Sequence, residues 1–156
     1  MTAVGTPVDE AAVRDALAEV PDPEIPVVSV VDLGMVEGVE VGSAGIRVEL
    51  LPTFVGCPAL EVIREAVEQR LAAFGRPVEV EFGRRVPWTS DRITAEGRDK
   101  LRRSGFAPPT ADVSDTRCPY CRSANVALDN LFGPTQCRSL FYCRGCRQPF
   151  EGFKTV

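Results

Sequence analysis

The sequence contains no histidine among its 156 residues, and this absence excludes several kinds of active site. Without an imidazole, neither a Ser-His-Asp triad nor a Cys-His dyad can be built, and no metal site can use a histidine ligand. The acidic residues are scattered along the chain and form no catalytic motif. We therefore predict no catalytic residue.

Long apolar runs are also missing. No run reaches the roughly 18 apolar residues that a membrane-spanning helix needs. The segment from Met1 to Pro7 lacks the basic start and the apolar core of a signal peptide. We therefore expect a soluble, cytoplasmic protein with no membrane partner. Thiols stay reduced in the cytoplasm, so cysteines there favour metal or redox chemistry.

The net charge of −4 hides a division of the chain into two parts. Residues 1–116 carry 12 Lys and Arg against 20 Asp and Glu, whereas residues 117–156 carry 6 against 2. The excess of negative charge in residues 1–116 argues against general binding of nucleic acid, which is a polyanion. The basic tail would suit an acidic protein or RNA, but acidic residues interleave with the arginines near Trp88, and we expect no nucleic-acid partner.

Five of the six cysteines lie in the last 39 residues. Two Cys-x-x-Cys pairs, Cys118 with Cys121 and Cys143 with Cys146, are separated by 21 residues. Each pair can place two thiolates on a tight turn, and two facing turns complete the tetrahedron of sulfurs that structural zinc requires. Zinc is our prediction. An iron centre on the same sulfurs is the main alternative, and two disulfides are the least favoured interpretation.

The fifth cysteine of the tail, Cys137, is left out of this site. If residues 137–142 form a strand, Cys137 lies about 20 Å from Cys143, at roughly 3.3 Å per residue. A single metal ion cannot span that distance. Cys137 is therefore either a core thiol or a surface sulfur with a redox or transfer role.

The part of the chain before the cysteine-rich tail is called the body below, and its pattern of apolar and polar residues predicts an α+β domain. An apolar stripe predicts a first helix, and alternating residues flanking Gly42–Gly45 predict a β-hairpin. A second helix from Pro58 to Gly75 and a strand from Pro77 to Phe82 follow, and the order helix, hairpin, helix, strand describes a small two-layer α/β domain. We predict this domain over residues 1–106, a proline-containing linker over 107–116 and a small β zinc ribbon over 117–156.

Cys57 is the one cysteine of the body. It lies between a predicted strand and the second helix, where Gly56 permits a sharp turn. At the cap of that helix, free N–H groups and the positive end of the dipole would favour a thiolate. A small buried thiol under the loop is an equally good interpretation. The rigid loop of Asp22 and Glu24 could add two carboxylates, although capping and solvation are their more ordinary roles.

Three motifs make the body resemble the metal–sulfur cluster biosynthesis family of iron–sulfur assembly factors. They are Asp22-Pro23-Glu24-Ile25-Pro26, Val31-Asp32-Leu33-Gly34 and Thr53-Phe54-Val55-Gly56-Cys57-Pro58. The rest of the resemblance, which covers nearly the whole chain, is to the accessory proteins encoded with phenylacetyl-CoA 1,2-epoxidase. It rests on Trp88-Thr89, on Gly105-Phe106-Ala107-Pro108-Pro109 and on the five-cysteine tail.

This resemblance implies a maturation role in aerobic phenylacetate degradation. It implies that Cys57 is the functional thiol, that Asp22 and Glu24 form its supporting acidic loop, and that the paired cysteines of the tail hold zinc. The implied partners are the catalytic di-iron and reductase components of the epoxidase. The resemblance also implies that this protein is not itself an enzyme. Transient binding of iron or an iron–sulfur cluster, and a homodimer, are left open. The alternative is a non-catalytic subunit that docks on the oxygenase or reductase through its zinc ribbon.

Overall fold

The computed structural model describes residues 7–156, and the body follows the predicted order. Its elements are α1 (Glu10–Leu17), β1 (Val36–Gly42), β2 (Gly45–Leu50), α2 (Ala59–Ala72), β3 (Val78–Phe82) and α3 (Ala95–Arg103). The carboxylate of Asp9 caps α1 by accepting from the Ala12 N–H. The α+β fold class predicted from the sequence is confirmed. Within residues 7–156, no helix is both long and apolar enough to cross a membrane.

The three strands of the body form one sheet in the order β1-β2-β3. The strands β1 and β2 are the predicted antiparallel hairpin, and β3 lies parallel to β2 after the crossover through α2. Helix α2 buries Ile63, Val67 and Leu71 against this sheet, and all three are at most 2% exposed. The helix therefore fixes the position of the turn that precedes it, which contains Cys57.

The C-terminal part forms a second sheet of four strands. They are β4 (Phe106–Ala107), β5 (Val126–Asn130), β6 (Arg138–Cys143) and β7 (Pro149–Phe153), in the order β4-β7-β6-β5. The short strand β4 pairs in parallel with β7, so the segment that follows α3 already belongs to the ribbon sheet. The segment from residue 107 to 116 also contains a short 3₁₀ turn at Val113–Asp115.

The two sheets are joined by a shared apolar core. Cys137 and Phe153 of the ribbon belong to the same buried cluster as the core of the body. Phe153 forms an aromatic triad with Phe54 and Trp88, with ring centroids between 5.9 and 6.4 Å apart. The division of the chain into a body, a linker and a ribbon stays a prediction, and these contacts show that the body and the ribbon pack on one another.

Candidate metal and thiol sites

The four paired cysteines of the ribbon meet at one point. The sulfurs of Cys118, Cys121, Cys143 and Cys146 all lie within 4.8 Å of one another. The Sγ atoms of Cys118 and Cys146 are 3.6 Å apart, as are those of Cys121 and Cys143. Four sulfurs at about 2.3 Å from a zinc ion are separated by about 3.8 Å, so this arrangement fits a tetrahedral metal ion.

Local backbone geometry explains why these turns present their sulfurs. The residue after each pair, Arg122 and Arg147, has a left-handed backbone, with φ of 66° and 61°. This conformation folds the chain back over each Cys-x-x-Cys turn. The Cys146 N–H lies 3.4 Å from the Cys143 sulfur and donates to it, and this bond is the main reason that the pKa of Cys143 falls to about 7. This bond favours the thiolate form of Cys143, whereas burial raises the pKa of Cys146.

The turn that carries Cys57 differs from the prediction in one respect. The helix α2 begins at Ala59 and its capping position is occupied by Pro58, with no side-chain capping bond, so Cys57 lies one residue outside the cap. Burial raises the pKa of Cys57, the charges of Glu24 and Asp22 raise it further, and a hydrogen bond from the Ala59 N–H opposes both. The predicted lowering of the pKa by the helix end is therefore wrong. Desolvation and two nearby carboxylates outweigh the helix end.

The acidic loop does face this turn. Asp22 is buried and its Oδ1 accepts hydrogen bonds from the Glu24 N–H at 2.9 Å and the Ile25 N–H at 2.8 Å. Burial raises the pKa of Asp22 in spite of these two bonds. Asp22 thus shapes the loop from within, and it leaves Glu24 as the carboxylate that points toward the ribbon.

A cavity of about 430 Å³ lies between the body and the ribbon. Glu24 and Cys57 line it on the side of the body, and Phe132 to Gln136 with Lys154 line it on the side of the ribbon. The sequence patterns suggested that the acidic loop and Cys57 could lie together. They gave no signal that the ribbon would complete the cavity, because that contact depends on how the two sheets pack.

Cys137 directly follows the ribbon segment that lines this cavity and is 7% exposed. Its Sγ lies 3.7 Å from Glu24 Oε2 and 3.1 Å from Thr135 Oγ1. Burial raises the pKa of Cys137 to about 11, with a smaller contribution from the charges of Glu24 and Asp22. Of the two alternatives considered for Cys137, the core position is the one observed.

Arg138 joins the ribbon to the acidic loop. Its guanidinium donates to the carbonyl oxygen of Glu24 and to Glu151 Oε2, the latter at 2.8 Å, and it lies 5.3 Å from the ring centre of Phe106. The side chain is only 16% exposed. This contact positions the main chain of Glu24 from the ribbon side.

Comparisons with known proteins assign the two parts of the chain separately. Residues 10–82 match the family model of an iron–sulfur cluster assembly protein, and residues 106–154 match the PaaD zinc beta ribbon domain. A curated protein of Escherichia coli (strain K12), named as a proposed subunit of 1,2-phenylacetyl-CoA epoxidase, is 37% identical over 147 residues. That match covers 90% of this chain and 89% of the relative.

The chain belongs to the PaaD family of epoxidase subunits. Two solved structures resemble about three fifths of the chain. A domain of unknown function from Bacillus anthracis is 26% identical with a TM-score of 0.55, over 59% of this chain and 90% of that chain. A conserved hypothetical protein from Thermotoga maritima is 30% identical with a TM-score of 0.52, over 60% and 94%.

The matched ranges agree with the geometry of this PaaD family member. The zinc ribbon match contains all four clustered cysteines, so the chain has a zinc-ribbon domain whose cysteines can hold a metal ion. The iron–sulfur assembly match contains Asp22, Glu24 and Cys57. Glu24 and Cys57 lie in the iron–sulfur assembly match and residues 132–136 lie in the ribbon match, so the cavity is built from both parts.

Proposed function

We propose that this protein is a non-enzymatic accessory protein of phenylacetyl-CoA 1,2-epoxidase, acts in the cytoplasm, and helps to assemble an iron or iron–sulfur centre of that complex. The observation that carries the proposal is the cavity that Cys57 and Glu24 line together with the ribbon. The name of the Escherichia coli relative supports an association with the epoxidase. The match to an iron–sulfur cluster assembly protein supports a role in assembling a metal centre.

The chemistry of the site suits temporary binding of iron. The raised pKa keeps the thiol of Cys57 protonated until a cation arrives, and the cation then displaces the proton. The carboxylate of Glu24 supplies negative charge beside it. Because Cys57 is half-buried on a turn, it can reach both the cavity and an acceptor protein.

The zinc ribbon has a supporting part in this proposal. Cys118, Cys121, Cys143 and Cys146 hold the zinc, which supplies folding free energy to a segment with little core of its own. The folded ribbon holds Phe132 to Gln136 and Lys154 against the body. Zinc is thus the resident metal, whereas iron is the cargo.

Co-expression tests the proposal. The epoxidase subunits are produced with the wild-type protein, with Cys57→Ser, and without the protein, and epoxidase activity and metal content are measured. We expect Cys57→Ser to leave the epoxidase present but inactive and low in metal. The control is that purified Cys57→Ser keeps one zinc and the wild-type unfolding temperature. Full activity in the Cys57→Ser culture would refute a transfer role for this thiol.

A second candidate is a docking subunit that binds the oxygenase or reductase through its ribbon. Exposed apolar side chains on the ribbon favour it, since Phe132 is 74% exposed and Leu131 is 51% exposed. If Phe132→Ala abolishes co-purification with the epoxidase subunits while Cys57→Ser supports full activity, docking is the better description. Either function is compatible with a monomer or a homodimer, and a measurement of the molecular mass in solution distinguishes the two.

A further inference from the structure

The contact between Cys137 and Glu24 has the spacing of two ligands on one metal ion. Cys137 Sγ and Glu24 Oε2 are 3.7 Å apart. A tetrahedral ion with a metal–sulfur distance of about 2.3 Å and a metal–oxygen distance of about 2.1 Å separates those two atoms by about 3.6 Å. Without a cation, the same pair forms a weak hydrogen bond from the thiol to the carboxylate. A cation can therefore replace the thiol proton with little movement of either residue.

Both members of this pair are held in place by the surrounding chain. The Lys154 N–H donates to the carbonyl oxygen of Cys137 at 2.8 Å, and Thr135 Oγ1 lies 3.1 Å from the sulfur. On the opposite side, Asp22 holds the Glu24 N–H and Arg138 holds its carbonyl oxygen. Outer contacts of this kind orient the ligands of metal sites.

Cys57 is the third member of the proposed group. It lines the same cavity as Glu24, but among residues 7–156 its sulfur does not belong to any compact cluster of ligand atoms. The turn before it contains Gly56, whose φ is +78°, and a Cβ placed there would meet no atom within 4 Å. The space beside Gly56 is therefore open, and the composite site requires the Cys57 sulfur to move toward the pair.

We propose, on the basis of the proposed function, that Glu24, Cys137 and Cys57 form a composite cargo site that takes one divalent cation of the Fe²⁺ type. Two thiolates and one carboxylate make a mixed donor set that suits Fe²⁺, Co²⁺ and Zn²⁺. An iron–sulfur cluster takes four protein ligands, and Asp22 is already occupied by two backbone N–H groups. The site thus provides three ligands and leaves one position open to water or to an acceptor.

The local charges also permit a cation. Asp22 and Glu24 contribute two carboxylates, and the nearby cations are Arg138 and Lys154. Arg138 is engaged by Glu151, and the Lys154 ammonium lies 5.2 Å from the centre of the Phe132 ring. Binding of a dication to two thiolates and Glu24 makes the three-ligand group singly negative, so neither cationic side chain has to move away.

Cobalt titration of the full-length protein tests the site. The ribbon is first filled with zinc, and Co²⁺ is then added without oxygen while zinc content and the sulfur-to-cobalt charge-transfer absorbance are followed. We expect the wild type to bind one Co²⁺ beyond its zinc. Cys137→Ser and Cys57→Ser should each lose about half of the charge-transfer intensity, because one of two Co–S bonds is removed. Each should also bind Co²⁺ about tenfold more weakly or worse, as loss of even outer contacts costs about that much.

Two further variants separate ligation from folding. Glu24→Gln keeps both sulfurs, so it should weaken Co²⁺ binding and leave the charge-transfer intensity of the bound ion unchanged. Glu65→Gln removes an exposed carboxylate of α2 and should behave as wild type. If Cys137→Ser loses its zinc or its unfolding transition, Glu24→Gln decides the question instead.

The outcomes distinguish this site from the proposed function. No Co²⁺ beyond the zinc in the wild type, or an unchanged titration in folded Cys137→Ser, overturns the composite site. An unchanged titration in folded Glu24→Gln does the same. These results leave the maturation role of Cys57 untouched, because the co-expression experiment tests that role separately. The site is supported only if the sulfur variants and Glu24→Gln change the titration as stated.

Discussion

Phe153, near the end of the ribbon, packs on Trp88 of the body with ring centroids 5.9 Å apart. Both side chains are buried, and the Trp88 Nε1–H donates to the carbonyl oxygen of Leu33 at 2.7 Å. An aromatic contact of this size between two sheets contributes to the stability of both. We therefore expect this contact to couple the unfolding of the ribbon to that of the body.

The first prediction concerns this contact. Phe153→Ala should lower the free energy of unfolding by about 3 kcal/mol, because it opens a cavity in a shared core. Phe132→Ala is the matched control, since Phe132 is 74% exposed, and it should change stability by less than about 0.5 kcal/mol. Urea unfolding followed by tryptophan fluorescence measures both. Equal effects of the two variants would show that the packing of Phe153 contributes little.

A second prediction concerns the zinc ligands. Cys121→Ser and Cys146→Ser should lose the metal, and the ribbon should unfold in both, since a segment this small depends on the metal for its fold. Cys137→Ser should retain one zinc because its sulfur lies outside the cluster. Metal analysis and near-ultraviolet circular dichroism check these outcomes. Full zinc retention in Cys121→Ser or Cys146→Ser would contradict the assignment of the ligands.

The third prediction follows from the raised pKa of two thiols. A raised pKa leaves less thiolate at neutral pH, so in the zinc-loaded protein iodoacetamide should modify Cys57 more slowly than a free thiol at pH 7. Cys137, whose pKa is about 11 and which is buried, should react more slowly still. The rates should rise as the pH approaches each pKa from below. Peptide mass spectrometry at several pH values measures them, and a Cys57 rate above that of free cysteine would be evidence against this electrostatic account.

A fourth prediction concerns Gly34, the last residue of the motif Val31-Asp32-Leu33-Gly34. Gly34 has a φ of +64°, and a Cβ on it would collide with the carbonyl group of Arg92. Gly34→Ala should therefore destabilise the protein by clearly more than the roughly 1 kcal/mol of a left-handed alanine. Gly75→Ala is the control, because its φ is +68° but the space around it is open. Thermal unfolding of both variants should show a much larger loss for Gly34→Ala.

The sequence alone determined the local structure and the zinc site. Residue periodicity predicted the hairpin, helix α2 and strand β3, because these features repeat over short stretches of chain. The spacing of the paired cysteines predicted the cluster, since two Cys-x-x-Cys turns leave few other ways to arrange four sulfurs. The motifs around Asp22 and Cys57 also pointed to the correct family.

Tertiary structure alone decided how these parts meet. The pKa of Cys57 rises because burial and two carboxylates act on it, and neither effect can be read from its place one residue before Pro58. Cys137 and Glu24 are 113 residues apart in the chain, yet their side chains are in contact. That contact depends on the packing of the ribbon sheet against the body, which is set by Phe153, Arg138 and their partners. No short pattern in the sequence encodes it, because it depends on the summed packing of residues from distant segments.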